Sequence, residues 1–185
     1  KLDERINQKE STSTQPTIAE INGKKFLYFV SDREGGFGGT DIWVCTIDSS
    51  GNFGNPVNCG NKINSKANEI TPFFNPNDGQ LYFSSDRKNG IGGFDIFASK
   101  GSLTLWENAT ILPAPFNTSF DDMYFNFYTK NRGYFSSNRS PAYYLDKESC
   151  CNDIFTFEII KTEKQTPKVI ETINSLTEEE YTLQA

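Results

Sequence analysis

Histidine is absent from this 185-residue chain, and methionine occurs once. Without histidine no Ser-His-Asp or Cys-His nucleophilic system can be assembled, and a structural zinc site would have to recruit all four cysteines at once. Those cysteines, Cys45, Cys59, Cys150 and Cys151, form no CxxC pattern. Long apolar runs are missing too. The longest, Phe26 to Val30, falls far short of the roughly 20 residues that cross a bilayer. Nor is there a surplus of positive charge: 18 Lys and Arg stand against 24 Asp and Glu, for a net charge of −6. That balance argues against nucleic acid and against an anionic membrane surface as partners. No metal or cofactor is expected.

Aromatics are abundant, with 16 Phe and 8 Tyr, beside 14 Gly and 8 Pro. Such a composition suits many short strands joined by tight turns. The strands announce themselves by repetition. Leu27-Tyr28-Phe29-Val30-Ser31-Asp32-Arg33, a glycine-rich stretch and Asp41-Ile42-Trp43 return as Leu81-Tyr82-Phe83-Ser84-Ser85-Asp86-Arg87, glycines and Asp95-Ile96-Phe97. Leu27 to Leu81 and Asp41 to Asp95 are both intervals of 54 residues. A looser third copy reads Gly133-Tyr134-Phe135-Ser136-Ser137-Asn138-Arg139, then Asp153-Ile154-Phe155. A fixed period of this size means stacked copies of one supersecondary unit.

Residues 1–16 read as a polar linker or edge segment, 17–60, 61–112 and 113–160 as three repeats, and 161–185 as a linker and tail. Val169-Ile170 is expected to add a strand there, and Ser175-Leu176-Thr177-Glu178 has the capping-box spacing of a short helix through Glu180. In the second repeat, Glu69–Phe74, Gln80–Ser85, Phe94–Ser99 and Trp106–Leu112 read as four antiparallel strands, with Asn77-Asp78-Gly79 as a hairpin turn. Pro72 belongs at a sheet edge. The strands are apolar on consecutive residues, so both faces of each sheet are expected to be dry. The fold class is therefore all-β, a β-propeller fragment of about three four-stranded antiparallel blades. Because propellers close with about four to eight blades, two apolar end faces are left over, and further blades upstream are expected to cover them.

Arginine and aspartate recur at the two ends of each hairpin connection: Arg33 with Asp41, Arg87 with Asp95, Arg139 with Asp153. An arginine fork across the hairpin to the carboxylate would make a charge-assisted clasp. Because the pair recurs in every repeat, it reads as structural. The glycine loops at 35–39 and 90–93 join strand to strand and lead into no helix, so a phosphate cradle lacks its geometry. Calcium-binding β-rolls need tandem nine-residue periods, which are absent. The third repeat replaces its glycine loop with a longer aromatic one, where Tyr143, Tyr144 and Leu145 are candidates for a partner contact. Cys45, Cys59, Cys150 and Cys151 are candidates for disulfides, or simply small buried hydrophobes. Glu69 and Asp122 occupy matching repeat positions. With Asp121 and with Trp106 as a stacking surface, they supply an alternative reading as a glycan-binding module or glycosidase.

The repeated Phe/Tyr-Ser-Ser-Asp/Asn-Arg, glycine loop and Asp-Ile-aromatic resemble the WD40-like, TolB-type β-propeller repeat. With Phe53-Gly54-Asn55-Pro56-Val57, Ile63-Asn64-Ser65 and Asn68-Glu69, the chain is more closely similar to propellers in envelope proteins of Bacteroidota. Such proteins join the propeller to tetratricopeptide, carboxypeptidase-regulatory-like and OmpA-like domains, and one group serves type IX secretion and gliding. The resemblance implies a non-enzymatic scaffold in the periplasm or at the outer membrane. Its partners would be other envelope proteins of a multi-protein complex, and peptidoglycan would be reached only through domains not present here. An accessory propeller of a hydrolase is a further alternative.

Overall fold

A computed structural model describes residues 1–140, 151–160 and 180–184. All regular elements among them are strands: β1 (Ser13–Ile21), β2 (Lys24–Ser31), β3 (Asp41–Ile47), β4 (Val57–Asn58), β5 (Glu69–Asn75), β6 (Gln80–Ser85), β7 (Asp95–Ser102), β8 (Leu105–Trp106), β9 (Thr110–Ile111), β10 (Asp122–Phe127), β11 (Arg132–Ser137), β12 (Asp153–Ile160) and β13 (Glu180–Gln184). They form three antiparallel sheets in the orders β1-β2-β3-β4, β5-β6-β7-β8 with β9 also on β7, and β10-β11-β12-β13. Among the described residues no helix is long and apolar enough to cross a membrane.

The central pairs follow the repeat. Phe29 lies opposite Trp43, Phe83 opposite Phe97 and Phe135 opposite Phe155. The first strand of each sheet is an edge strand that bulges at equivalent places, with Gln15, Thr71 and Tyr124 all at positive φ. Pro16 and Pro72 follow two of these bulges, at edges where a missing N–H is tolerated.

Several boundaries differ from the sequence reading. Of the linker and edge readings of residues 1–16, the edge one fits: β1, the edge strand of the first sheet, begins at Ser13, and Ile6 is buried at 3% exposure. The expected strand from Trp106 to Leu112 is split into β8 and β9. Glu180 opens β13, which pairs back onto β12 instead of ending a helix; Val169-Ile170 and Ser175–Glu178 lie outside the described residues.

The sheets pack face to face. Phe26, Tyr28, Ile42 and Val44 of the first meet Phe74, Leu81, Phe83 and Phe97 of the second. Tyr82, Ile96 and Ala98 of the second meet Phe125, Phe135, Phe155 and Phe157 of the third. Full burial of such side chains contributes about 1.5–3 kcal/mol each. The outer face of the first sheet, with Leu27, Phe29, Trp43 and Cys45, is closed by Ile6, Ile47 and Phe53. The expectation of two dry faces fails for the third sheet, whose β11 and β12 alternate between buried and exposed residues.

Two devices lock consecutive sheets. The Asn64 side-chain amide accepts from Ile42 N at 2.8 Å and donates to Ile42 O at 2.9 Å. Asn117 does the same to Ile96 at 2.7 and 2.8 Å. Beside each clip a glycine loop lies against the turn that leads into the next sheet. A Cβ on Gly38 would overlap the carbonyl oxygens of Ser65 and Ala67, and one on Gly92 those of Thr118 and Phe120. These two glycines are needed for close approach rather than for φ. Gly92→Ala is expected to lower stability by about 1–3 kcal/mol, the cost of overpacking. Chemical denaturation measures it, and a variant as stable as the parent would show that the loop does not seat the third sheet.

Candidate functional site

The recurring Ser-Asp/Asn-Arg motif builds the same seat three times, and the expected Arg-to-Asp clasp does not form in the two hairpins where both residues' bonds are described. Each guanidinium lies over a pair of rings from its sheet's second and third strands. Arg33 is 4.8 and 5.3 Å from the ring centroids of Phe29 and Trp43. Arg87 is 5.3 and 4.6 Å from Phe83 and Phe97. Arg139 is 4.8 and 5.5 Å from Phe135 and Phe155. Each Nε donates to the serine two residues earlier, Ser31, Ser85 or Ser137. The terminal nitrogens reach the turn before the sheet's first strand: Arg33 donates to the carbonyls of Arg5 and Ile6, Arg87 to that of Ile63, and Arg139 to those of Pro115 and Phe116.

The acids Glu69 and Asp122 complete two of the seats. Arg87 pairs with Glu69 at 3.0 Å and Arg139 with Asp122 at 2.6 Å, and both carboxylates are fully buried. Glu69 also accepts from Ser65 N, Ser65 Oγ and Ser85 Oγ, and Asp122 from Thr118 N and Oγ1. In the first seat Ser13 takes the acid's place and accepts from Arg33 at 3.1 Å. Burial draws the Arg33 pKa below its usual value.

The signature aspartates serve the loops instead. Asp41 accepts from the amides of Phe37 and Gly38 and from Asn58 Nδ2 at 2.7 Å. Asp95 Oδ2 accepts from the amides of Ile91 and Gly92 at 2.6 and 2.9 Å. Ile111 stands opposite Phe97 where Asn58 stands opposite Trp43, and Asp95 Oδ1 is buried without a partner. Asp153 is half-buried at the start of β12.

The residues assigned to the glycan alternative are spent internally. Trp106 is 8% exposed and donates Nε1 to the Leu103 carbonyl. Asp121 Oδ1 accepts from Phe94 N. Of the two readings offered for Cys45 and Cys59, the structure shows small buried hydrophobes and not a disulfide: both thiols are free and lie in hydrophobic clusters on opposite faces of the first sheet. Burial pushes the Cys45 thiol up to about 11 and raises Cys59 as well. Cys151 is half-buried, and Cys150, Tyr143, Tyr144 and Leu145 lie outside the described residues. Among the described residues no group of three or more His, Cys, Asp or Glu side chains is arranged to hold a metal ion. Ile63 and Asn64 were noted only for the family resemblance, and Ile6, Phe116 and Asn117 were not singled out from the sequence. Their signal is the apolar-Asn dipeptide that precedes each first strand.

A cleft of about 680 Å³ opens between the second and third sheets, walled by Tyr82, Phe125 and Phe127 and rimmed by Asn77, Asp78 and Lys130. Burial raises the Asp78 carboxyl, against hydrogen bonds from Tyr82 and Asn75.

No family model and no curated protein matches this chain. Among solved structures it is distantly similar to an α-L-arabinofuranosidase from Lactobacillus brevis, at 14% identity and a TM-score of 0.46, over 81% of this chain and 50% of that one. The chain spans about half the length of that structure, and a likeness this distant carries no argument.

Two predictions follow the geometry. Glu69→Gln removes the charge partner of a largely buried Arg87, and breaking such a pair costs about 3–5 kcal/mol; a loss below about 1 kcal/mol in denaturant unfolding would mean that rings and carbonyls alone hold the guanidinium. Asp95 titrates in the opposite sense to a salt-bridged acid. Burial, with Asp122 and Asp121 nearby, holds its carboxyl above the usual range despite two loop amides. The folded state thus binds the proton more tightly, so this stability is present below about pH 4 and is lost as pH rises through the raised value. Asp95→Asn keeps an acceptor for both amides and removes that loss. Its Tm relative to the parent should climb between acidic and neutral pH, and a pH-independent difference would refute the assignment.

Proposed function

We propose that the three sheets are blades of a β-propeller and that the chain is a non-enzymatic, protein-binding scaffold of a bacterial envelope complex, in the periplasm or at the outer membrane. The observation that supports this reading is the internal use of the signature. Arg33, Arg87 and Arg139, with Glu69 and Asp122, hold rings, carbonyls and strands together. Every chemically prominent copy is thus occupied in building the stack, and recognition falls to loops and faces that vary between repeats. The kinship with type IX secretion and gliding proteins belongs to this proposal and rests on the repeat resemblance alone.

The experiment is a pull-down from bacterial envelope extract with the parent chain and with Tyr143, Tyr144 and Leu145 all replaced by alanine. The replacement is expected to abolish capture of a specific envelope protein while Tm stays unchanged. Equal capture by both refutes these residues as the contact. The cleft beside Asp78 favours a second reading, a glycan-binding module, because aromatic walls with planar polar side chains at the rim suit sugar faces and hydroxyls. Soluble peptidoglycan disaccharide that binds the parent but not Asp78→Ala would favour it over the scaffold.

A further inference from the structure

The two ends of the stack carry opposite halves of one interface. At the first internal interface, Tyr28 and Ile42 are wholly buried. Tyr28 stacks on Phe74 of the next sheet at 6.3 Å, and the Ile42 backbone is clipped by Asn64. At the second, Tyr82 meets Phe127 edge-on at 5.7 Å and the Ile96 backbone is clipped by Asn117. One sheet thus gives a tyrosine and an isoleucine, and the next gives an apolar first-strand residue and an asparagine.

The third sheet presents the first half again. Ile154 lies opposite Ser136 as Ile96 lies opposite Ser84, and Tyr134 follows the same register. Yet Tyr134 is 38% and Ile154 is 76% exposed. The first sheet presents the second half. Ile18 lies opposite Leu27 as Phe74 lies opposite Leu81, and it is 64% exposed. Asn7 follows Ile6 as Asn64 follows Ile63, and its side-chain amide donates to Leu2 of its own lead-in turn.

We propose that a second copy of this chain docks head to tail, with Ile18 and Asn7 of one copy against Tyr134 and Ile154 of the other. What each end lacks, the opposite end of the same molecule supplies, which defines a heterologous contact. The contact itself rests on the equivalence of repeat positions. Its closure into one ring of two copies rests on the propeller reading, and six sheets fall within the four to eight that close.

Sedimentation of the full chain over a wide concentration range tests this. The expected species has twice the chain mass and no larger form accompanies it. Ile18→Lys and Ile154→Lys should each sediment as monomers, and an equimolar mixture of the two should regain a dimer, because one undamaged head meets one undamaged tail. Near-ultraviolet circular dichroism checks that both fold, and Tyr134→Arg is a second lesion of the same face. A parent chain that is monomeric throughout overturns the proposal and leaves these faces to further blades upstream or to sheets of another chain. A dimer that survives Ile18→Lys overturns it as well, since tails would then be meeting tails. Species that keep growing with concentration support the head-to-tail contact and overturn only the closed ring.

Discussion

The arginine seat is the constraint around which each unit is organised. A guanidinium cannot be deprotonated inside a protein, so burying one demands acceptors in fixed places. Here the demand ties together three elements distant in sequence: the second strand that carries the arginine, the third strand whose ring covers it, and the lead-in turn whose carbonyls receive it. Arg139 is 7% exposed and bonds Pro115, Phe116, Asp122 and Ser137. Remove it and the turn before β10 loses its anchor, while the stacked rings of Phe135 and Phe155 lose the cation that covers them.

Comparison of the three seats separates what is constant from what is added. The two rings, the serine and the turn carbonyls are common to all. The buried carboxylate is present in two, and Ser13 stands in for it in the first. A buried ion pair is weak support for net stability, because desolvation offsets much of the attraction. Ring contacts contribute about 0.5–2 kcal/mol each, and hydrogen bonds to a charged group about 1.5–3 kcal/mol. In the first seat rings, carbonyls and serines hold the cation; in the other two the acid is a further partner whose removal leaves a buried charge uncompensated. This explains why an aromatic residue stands two positions after each signature aspartate. Asp41 and Asp95 tighten the loop, and Trp43 and Phe97 roof the arginine.

The period, the second and third strands and the sheet-edge place of Pro72 were legible in sequence because they depend on local pattern. Side-chain partners were not. Arg87 finds Glu69 eighteen residues upstream rather than Asp95 downstream, a choice made by the packing of three elements and invisible to spacing along one hairpin. Cys45 lies in β3 and Cys59 just after β4, and their thiols point into clusters on opposite faces of the first sheet. Fourth strands of two residues, β4, β8 and β9, leave too short a pattern to be read. Glu69 and Asp122 looked like chemistry because acids at matching positions do, with Asp121 and Trp106 read beside them; burial of Glu69, Asp122 and Trp106, and the bonds of Asp121 to Phe94 and Asn138, make them framework.

The ends of the stack are unequal, and the inequality is written in substitutions at repeat positions. At the first sheet, Ile6 and Phe53 fold over Phe29 and Trp43, so the chain closes most of that face with its own residues. At the third, exposed Thr156 stands where buried Ala98 stands in the second, and Glu158 stands where Lys100 does. Terminal units of repeat proteins need a polar outer face to stay soluble. Thr156 and Glu158 meet that need in part, and Glu158 carries an exposed pair with Arg132 at 3.1 Å. Tyr134 and Ile154 do not, for they keep the residue types of a buried interface beside the polar Thr156 and Glu158. An apolar pair retained there, in register with two sealed interfaces, marks a surface built to be covered rather than a solvent-facing cap.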